Sequence, residues 1–421
     1  MPGTPASNST HARGESADVN ERPLSILHII ASLAPGYGGP AKVAELCEAL
    51  AARGHRVEVA TTNIFDPDVP TGVRVERRGF AVTHFRVRRP RTTATAPGLV
   101  PWLRRHVREF DLAHIHGIYW FPTLVSAIAA RHARVPYVHQ PHGALTAYHR
   151  AHHVGRKAVY EALFERRNLR LAASVRYDSE RERQDALARG FPDGAVIPPG
   201  TPMPPPGSSD DRVGGRILFL GRISAKKGVD VLLDALPLVI SAVPAAHLVV
   251  AGPDDERLGN QLRERANALR IGERVTFVGL VTGDTKIDLL RTASVLVAPS
   301  IDESFGATVT EALAVETPVI ISRGIPIHEQ IEREAAGLVV DRTPQAVAAG
   351  ITRILTDAML AATLGKNGRL LVETEYSWDE IARRIEELYL EVLSRPQRFT
   401  RSQNRVKAME GDEGKTASEH P

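Results

Sequence analysis

Apolar positions along this chain follow two alternating patterns. Short strand-like runs recur near residues 24–30, 55–61, 111–117, 135–139, 174–178, 217–220, 247–251, 275–279, 296–300, 318–321 and 337–340. The run 217–220 is apolar throughout, as expected of a strand covered on both faces, and 296–300 likewise reads as buried. Between them, apolar residues three or four apart predict helices over about 41–53, 101–109, 121–131 and 229–239. Three further helices are expected after residue 340, the last starting at Tyr376-Ser-Trp-Asp-Glu380. Arg74 to Arg91 reads as a basic β-like region, and Tyr148 to Leu171 as a basic helix-rich segment. Ser179-Glu180 reads as a helix cap. The alternation predicts two α/β domains with parallel sheets, 23–200 and 216–376, facing a cleft. The Pro/Gly/Ser/Asp-rich stretch 201–215 links them, and 377–396 holds the final helix. The polar tails 1–22 and 397–421 read as disordered.

Length and charge refine this outline. A chain of 421 residues is long enough for two sizeable cores. No run approaches eighteen apolar residues, and the N-terminus carries no apolar signal region. A single Cys47 excludes an intrachain disulfide and fits a reducing compartment, and its place in a helical apolar pattern reads as a small buried hydrophobe. The net charge of +4 hides an asymmetry: residues 1–200 hold 27 Lys and Arg against 18 Asp and Glu. A basic first half can meet nucleic acid, an anionic membrane or a phosphate-bearing acceptor, or reflect composition alone. No interleaved aromatics or nucleic-acid motif accompanies it, which excludes nucleic acid as the expected partner.

The chemistry is densest between Ile217 and Ala314. After the strand at 217–220, Gly221-Arg222 and Lys227-Gly228 give a loop at a strand's carboxyl end, where open α/β sheets bind ligands. Gly221 permits close approach, a helix starting at Gly228 aims free N–H groups at the crevice, and the two cations suit a diphosphate. After the strand at 296–300 come Glu303, Phe305, Gly306 and Glu311. Glu311 lies a little over one turn into a helix opened by Gly306, where a carboxylate can accept two ribose hydroxyls, while Glu303 can reach a sugar. In the first half, Gly38-Gly39 lies in a strand-to-helix loop that can cradle an anion. Two strands end in His116-Gly117 and His142-Gly143. The spacing His114-x-His116 also invites zinc, and Asp66-x-Asp68 a metal, but neither has ligands near it in sequence to complete a site.

The second half resembles a family 4 retaining glycosyltransferase of the GT-B fold (glycosyl transferases group 1). That family carries a Gly-Arg…Lys-Gly loop followed by E-x-F-G-x-x-x-x-E, here Gly221-Arg222, Lys227-Gly228 and Glu303/Phe305/Gly306/Glu311. The resemblance covers about residues 24–394 and is strongest in 216–340. It implies two Rossmann-like domains with the final helix crossing back to the first. It implies that Arg222 and Lys227 hold the donor diphosphate, that Glu303 faces the donor sugar and that Glu311 binds the nucleotide ribose. Gly38-Gly39 would touch donor and acceptor from across the cleft, and Gly279-Leu280 would contact the base. His142 would be the active-site histidine beside the transferred sugar, with His116 the second candidate. No metal and no cofactor beyond a nucleotide diphospho-sugar co-substrate are implied. The implied reaction is hexose transfer to a glycan, lipid-linked or small hydroxyl acceptor. Its setting would be polysaccharide or lipid-linked oligosaccharide biosynthesis in the cytoplasm, at the inner face of the membrane. Two positions depart from the family pattern: Pro199 replaces the Asn of a Pro-Asn-Gly hinge step, and Glu316 stands where relatives have glycine before Pro318. These substitutions keep a degenerate partner- or lipid-surface-binding protein open as an alternative. The order of the two motifs speaks against a nucleotide-sugar epimerase or a phosphorylase.

Overall fold

The computed structural model describes residues 22–34, 38–89, 91–146, 159–207 and 212–395. Most of the two expected disordered tails, part of the 148–171 segment and part of the linker lie outside these residues. Arg22, at the edge of the first tail, pairs with Asp111 at 2.7 Å.

The first sheet comprises β1 (Ser25–Ile30), β2 (Arg56–Thr62), β3 (Arg74–Arg77), β4 (Phe80–Phe85), β5 (Leu112–His116), β6 (Tyr137–Gln140), β7 (Ser174–Tyr177) and β8 (Ala195–Val196), in the order β3-β4-β2-β1-β5-β6-β7-β8. All neighbours are parallel except the β3–β4 hairpin at one edge. The basic 74–91 region is thus an exposed edge strand and a buried one, and Arg74 is paired with Glu58 and Glu76. The second sheet comprises β9 (Arg216–Leu220), β10 (His247–Ala251), β11 (Val275–Gly279), β12 (Val295–Ala298), β13 (Val319–Ile321) and β14 (Leu338–Val339), ordered β11-β10-β9-β12-β13-β14 and all parallel. Central strands such as β1, β9 and β12 are buried along nearly their whole length, as their unbroken apolar runs require. The fold is therefore α/β with two parallel-sheet domains.

Each sheet reverses its strand order once near its centre, between β1 and β5 and between β9 and β12. Ligands of open parallel sheets bind at such switch points. The sequence placed the glycine loop and the Glu-bearing loop on separate strands, and the topology makes those strands neighbours.

Two chain crossings join the domains side by side. Thr201 donates its N–H to Tyr376 (2.8 Å), and Trp378 donates to Thr201 (3.3 Å). Gly200 meets the Trp378 indole so closely that a Cβ would lie 2.3 Å from the ring. The final helix, Trp378–Ser394, then buries Ile381, Ile385, Leu388, Tyr389 and Val392 in the core of the first domain. That burial returns the end of the chain to the domain where it began. No single helix among the described residues is long and apolar enough to cross a membrane.

Candidate active site

Three contacts bring the carboxyl ends of the two sheets together. Lys42 of the first domain lies 2.9 Å from Glu311 of the second. Arg181 donates to the Gly324 carbonyl at 3.1 Å. Gly143 abuts Ser304, so that a Cβ at residue 143 would be 2.4 Å from Ser304 Cβ. The cleft is closed in this structure.

On the second domain, the ends of β9, β10 and β11 crowd together. Gly252 has φ 141°, and a Cβ there would fall 1.8 Å from the Gly221 carbonyl oxygen, a space only glycine allows. This brings the Gly221–Gly228 loop down against its neighbours. Arg222 is exposed and, among the described residues, makes no hydrogen bond or ion pair. Lys227 forms an ion pair with Glu303, whose Oε1 also accepts from the Ser300 hydroxyl at 2.9 Å. Burial would raise the Glu303 carboxyl, but the Lys227 ammonium holds it below the usual carboxylate range. Phe305 is buried and packs edge-on against Tyr376 at the hinge, 5.4 Å between centroids. Gly306 caps the helix Ala307–Ala314 that carries Glu311. Gly279 ends β11 with φ 73°, and Leu280 beyond it is exposed. Asp254 caps the helix Gly259–Ala268 through the N–H groups of Leu258 and Gly259, as its charge before a helix suggests.

Glu311 Oε1 accepts from Lys42 at 2.9 Å and from Lys286 at 3.0 Å. Burial would raise this carboxyl too, and the two ammonium groups hold it down. Lys42 also reaches Glu45 at 2.9 Å. Lys42 belongs to the helix Gly38–Ala52, which starts at Gly38, three residues earlier than the apolar pattern suggests. Gly38 and Gly39 are thus the first turn of a helix, not loop.

On the first domain, His142 sits after β6 with a left-handed backbone, φ 57°. Its Nε2 is 3.0 Å from His116 Nδ1, and its Nδ1 is 3.6 Å from Asp178 Oδ2. His116 Nε2 continues to His28 Nδ1 at 2.9 Å. His142 Nε2 is thus engaged by His116, while its Nδ1 lies near the Asp178 carboxylate, beyond hydrogen-bond distance. The loop is held from below by the buried Glu182, whose Oε2 accepts from the Asp178 N–H at 3.0 Å. Burial pushes Glu182 up to about 8, while Asp178, also desolvated, is held low by His142 and Arg176. Arg176 is fully buried and clasps the carbonyls of Ile197 and Pro198 at 2.9 Å each, just before Pro199-Gly200. Ser179 caps the following helix by accepting from Glu182 N at 3.3 Å.

His28, His114 and His116 place ring nitrogens within 4.8 Å of one another, the one group of three metal-ligating side chains found among the described residues. The His114-x-His116 pair thus gains its third histidine from β1. His116 uses both nitrogens in ring–ring hydrogen bonds, and buried Arg176 adds positive charge beside the cluster. Those features suit neutral imidazoles better than a bound cation. Burial, then Arg176, lowers His28 to about 3. Asp66 and Asp68 join no such group.

Lys42, Lys286, Asp178, Glu182 and Arg176 were not found by sequence reasoning. Only Glu182 left a signal, the Ser-x-x-Glu spacing of a capping box at Ser179. The others acquire meaning from contacts across more than twenty residues, and Lys42 from a contact across the cleft.

Comparisons with known proteins agree with this architecture. Residues 214–371 match the family model "Glycosyl transferases group 1", and residues 38–200 match "Glycosyl transferase 4-like domain". An uncharacterised glycosyltransferase of Methanocaldococcus jannaschii is 36% identical over 174 residues, 41% of this chain and less than half, 44%, of that relative. A D-inositol 3-phosphate glycosyltransferase of Jonesia denitrificans is 28% identical across 81% of this chain and 88% of its own length. Among solved structures, sucrose-phosphate synthase of Thermosynechococcus elongatus superposes with a TM-score of 0.72 and 25% identity, over 88% of this chain and 99% of that one. HepE of Anabaena, solved with UDP and glucose, gives 0.69 at 19% identity over 87% and 99%, a likeness of fold. With both halves matched and the two-domain fold shared, the chain belongs to the family 4 glycosyltransferases of the GT-B fold.

Proposed function

We propose that this protein transfers a hexose from a nucleoside diphosphate sugar to a hydroxyl acceptor with retention of anomeric configuration and without a metal ion. The observation that carries this reading is the Lys227–Glu303 pair at the second sheet's switch point, with the unpaired Arg222 guanidinium on the same loop. A donor diphosphate entering there meets Arg222 and draws Lys227 away from Glu303. The two cations then stabilise the negative charge that develops as the diphosphate leaves, an effect worth a few kcal/mol per donor. Glu303, released, accepts from the sugar hydroxyls. Glu311 receives the ribose diol. His142 and Gly143 form the opposite wall, and the leaving phosphate takes the acceptor proton on the same face of the sugar. Closure of the Gly143–Ser304 contact keeps water from the sugar. The bound UDP and glucose of Anabaena HepE lie in a protein of the same fold, which favours a nucleotide-sugar donor. The basic first half favours an acceptor that carries phosphate or is presented at the inner face of a membrane, in polysaccharide or lipid-linked oligosaccharide assembly.

Thermal unfolding with UDP, GDP and ADP, on the wild type and on Glu311→Ala, tests the donor site. A nucleotide at 100 times its dissociation constant adds about 2.7 kcal/mol of stability. One nucleotide raises the wild-type midpoint, and the variant, shown folded by its own ligand-free transition, loses most of the rise. If no nucleotide shifts the wild type, the transferase reading fails.

A further inference from the structure

The nucleotide half of the expected site lies on the second domain, yet its central carboxylate is held from the first. Glu311 has two lysine partners, and both meet the same oxygen, Oε1. Among the described residues no hydrogen bond reaches Oε2, so one edge of the carboxylate is fixed and the other is open. Lys286 comes from the same domain, on the helix Gly283–Thr292. Lys42 comes across the cleft a little over one turn into the helix Gly38–Ala52, with its side chain only 8% exposed. Lys42 therefore reaches Glu311 only when the domains are closed.

The chain of contacts does not stop at Lys42. Its ammonium also pairs with Glu45, and Glu45 accepts from Trp378 Nε1 at 2.9 Å. Trp378 is the residue whose indole lies against Gly200 at the chain crossing. An unbroken series of charged and polar contacts runs from Glu311 through Lys42 and Glu45 to the hinge. An ammonium buried this far from water is retained only beside anions, and Lys42 has one on each domain.

We infer that Lys42 is a positioning residue of the nucleotide-ribose subsite: it reaches across the closed cleft to fix Glu311 Oε1 and so turns Oε2 toward the ribose diol. This rests on the donor-site reading above and adds its coupling to domain closure. An open cleft takes Lys42 away and leaves Glu311 with Lys286 alone, a carboxylate still charged but free to rotate. Recognition of the ribose is then strong only in the closed form, and donor binding and closure stabilise each other.

The test uses Lys42→Met, which keeps the length of the side chain and removes its charge, with Lys286→Met as a second variant. Ligand-free melting confirms that each is folded. Calorimetric titration compares the nucleoside diphosphate that binds the wild type with its 2′-deoxy counterpart. The wild type prefers the ribonucleotide. Lys42→Met weakens ribonucleotide binding about tenfold, the scale of one charge-assisted hydrogen bond, and narrows the preference over the deoxynucleotide by a comparable factor. A purely structural role for Lys42 would weaken both ligands equally and leave the preference intact, which overturns the inference. Unchanged or tighter ribonucleotide binding also overturns it, the latter by making Lys42 a competitor for Glu311. If the wild type binds no nucleoside diphosphate, the donor-site reading itself has failed. If it binds one with a ribose preference that Lys42→Met leaves intact, only the Lys42 role is lost.

Discussion

Gly143 meets Ser304 across the cleft with no room for a side chain, and Gly143→Ala probes that contact. Two penalties separate cleanly. The first is local: Gly143 has φ 75°, and an alanine there is strained by about 1–2 kcal/mol whether the cleft is open or closed. That lowers the unfolding midpoint by roughly 2–8 °C for a domain of this size. The second is across the cleft: the new methyl carbon would stand 2.4 Å from Ser304 Cβ and 3.3 Å from its Oγ. Carbon atoms in contact prefer about 3.5–4.0 Å, so the loops must part by about 1 Å. A displacement of about 1 Å at a reacting centre costs on the order of 10²-fold in rate. The expected result is a kcat about 10²-fold lower with nucleotide binding largely kept, measured as nucleotide release from the donor sugar in the presence of acceptor. Adding Ser304→Gly removes both offending atoms and leaves only Ser304 Cα, at 3.4 Å. The double variant regains about tenfold or more in kcat while keeping the lowered midpoint, because the backbone strain remains. A single variant whose kcat stays within about threefold of the wild type, or a double variant with no recovery, refutes the account of closure.

Two further expectations concern stability. Glu316 ends its helix with φ 64°, the left-handed form, and its N–H bonds back to Leu313. Glu316→Gly relieves about 1–2 kcal/mol of strain and gives back about 0.5–1 kcal/mol in unfolded-chain entropy, for a net gain near 0.5–1 kcal/mol. A fall in the urea midpoint would contradict this. The buried histidines set an acid limit. His28 is lowered to about 3, and His114 and His116 well below the ordinary value, chiefly by burial. Their folded-state values lie below the unfolded value near 6.5, so in acid the unfolded chain takes up protons that the folded chain refuses. This stability is full above about pH 6.5 and is lost as pH falls below it, by up to about 1.4 kcal/mol per pH unit for each histidine. Urea unfolding of the wild type and His28→Asn from pH 7 to pH 5 measures the slope, which is shallower in the variant; equal slopes would exclude His28 from the effect.

What the sequence determined by itself was whatever depends on near neighbours. The unbroken apolar runs around Ile26, Leu218 and Leu296 required strands buried on both faces, and their alternation with helical spacing required parallel sheets. Gly221-Arg222, Lys227, Glu303 and Glu311 were legible because loop chemistry at strand ends is local in the chain. Helix starts were less legible: the Gly38-Gly39 turn contains glycines and a proline and no apolar period, yet it is helical, and Pro40 is tolerated there because a first-turn N–H has no intrahelical partner to lose. What only the tertiary structure decided is which groups share an electric field. Phe305 reads as part of a binding motif, but packing turns its ring into the core against Tyr376. His142 reads as an imidazole facing a sugar, and the fold adds that its Nε2 meets His116 at 3.0 Å while its Nδ1 lies 3.6 Å from Asp178. Lys42 carries no signal of its own in the sequence, and closure makes it a partner of Glu311, 269 residues away. Periodicity and loop composition act over a few residues, so a sequence displays them. The strength of a charge depends on which opposite charge and how much water lie within a few ångströms, and that is fixed only when two distant strand ends meet.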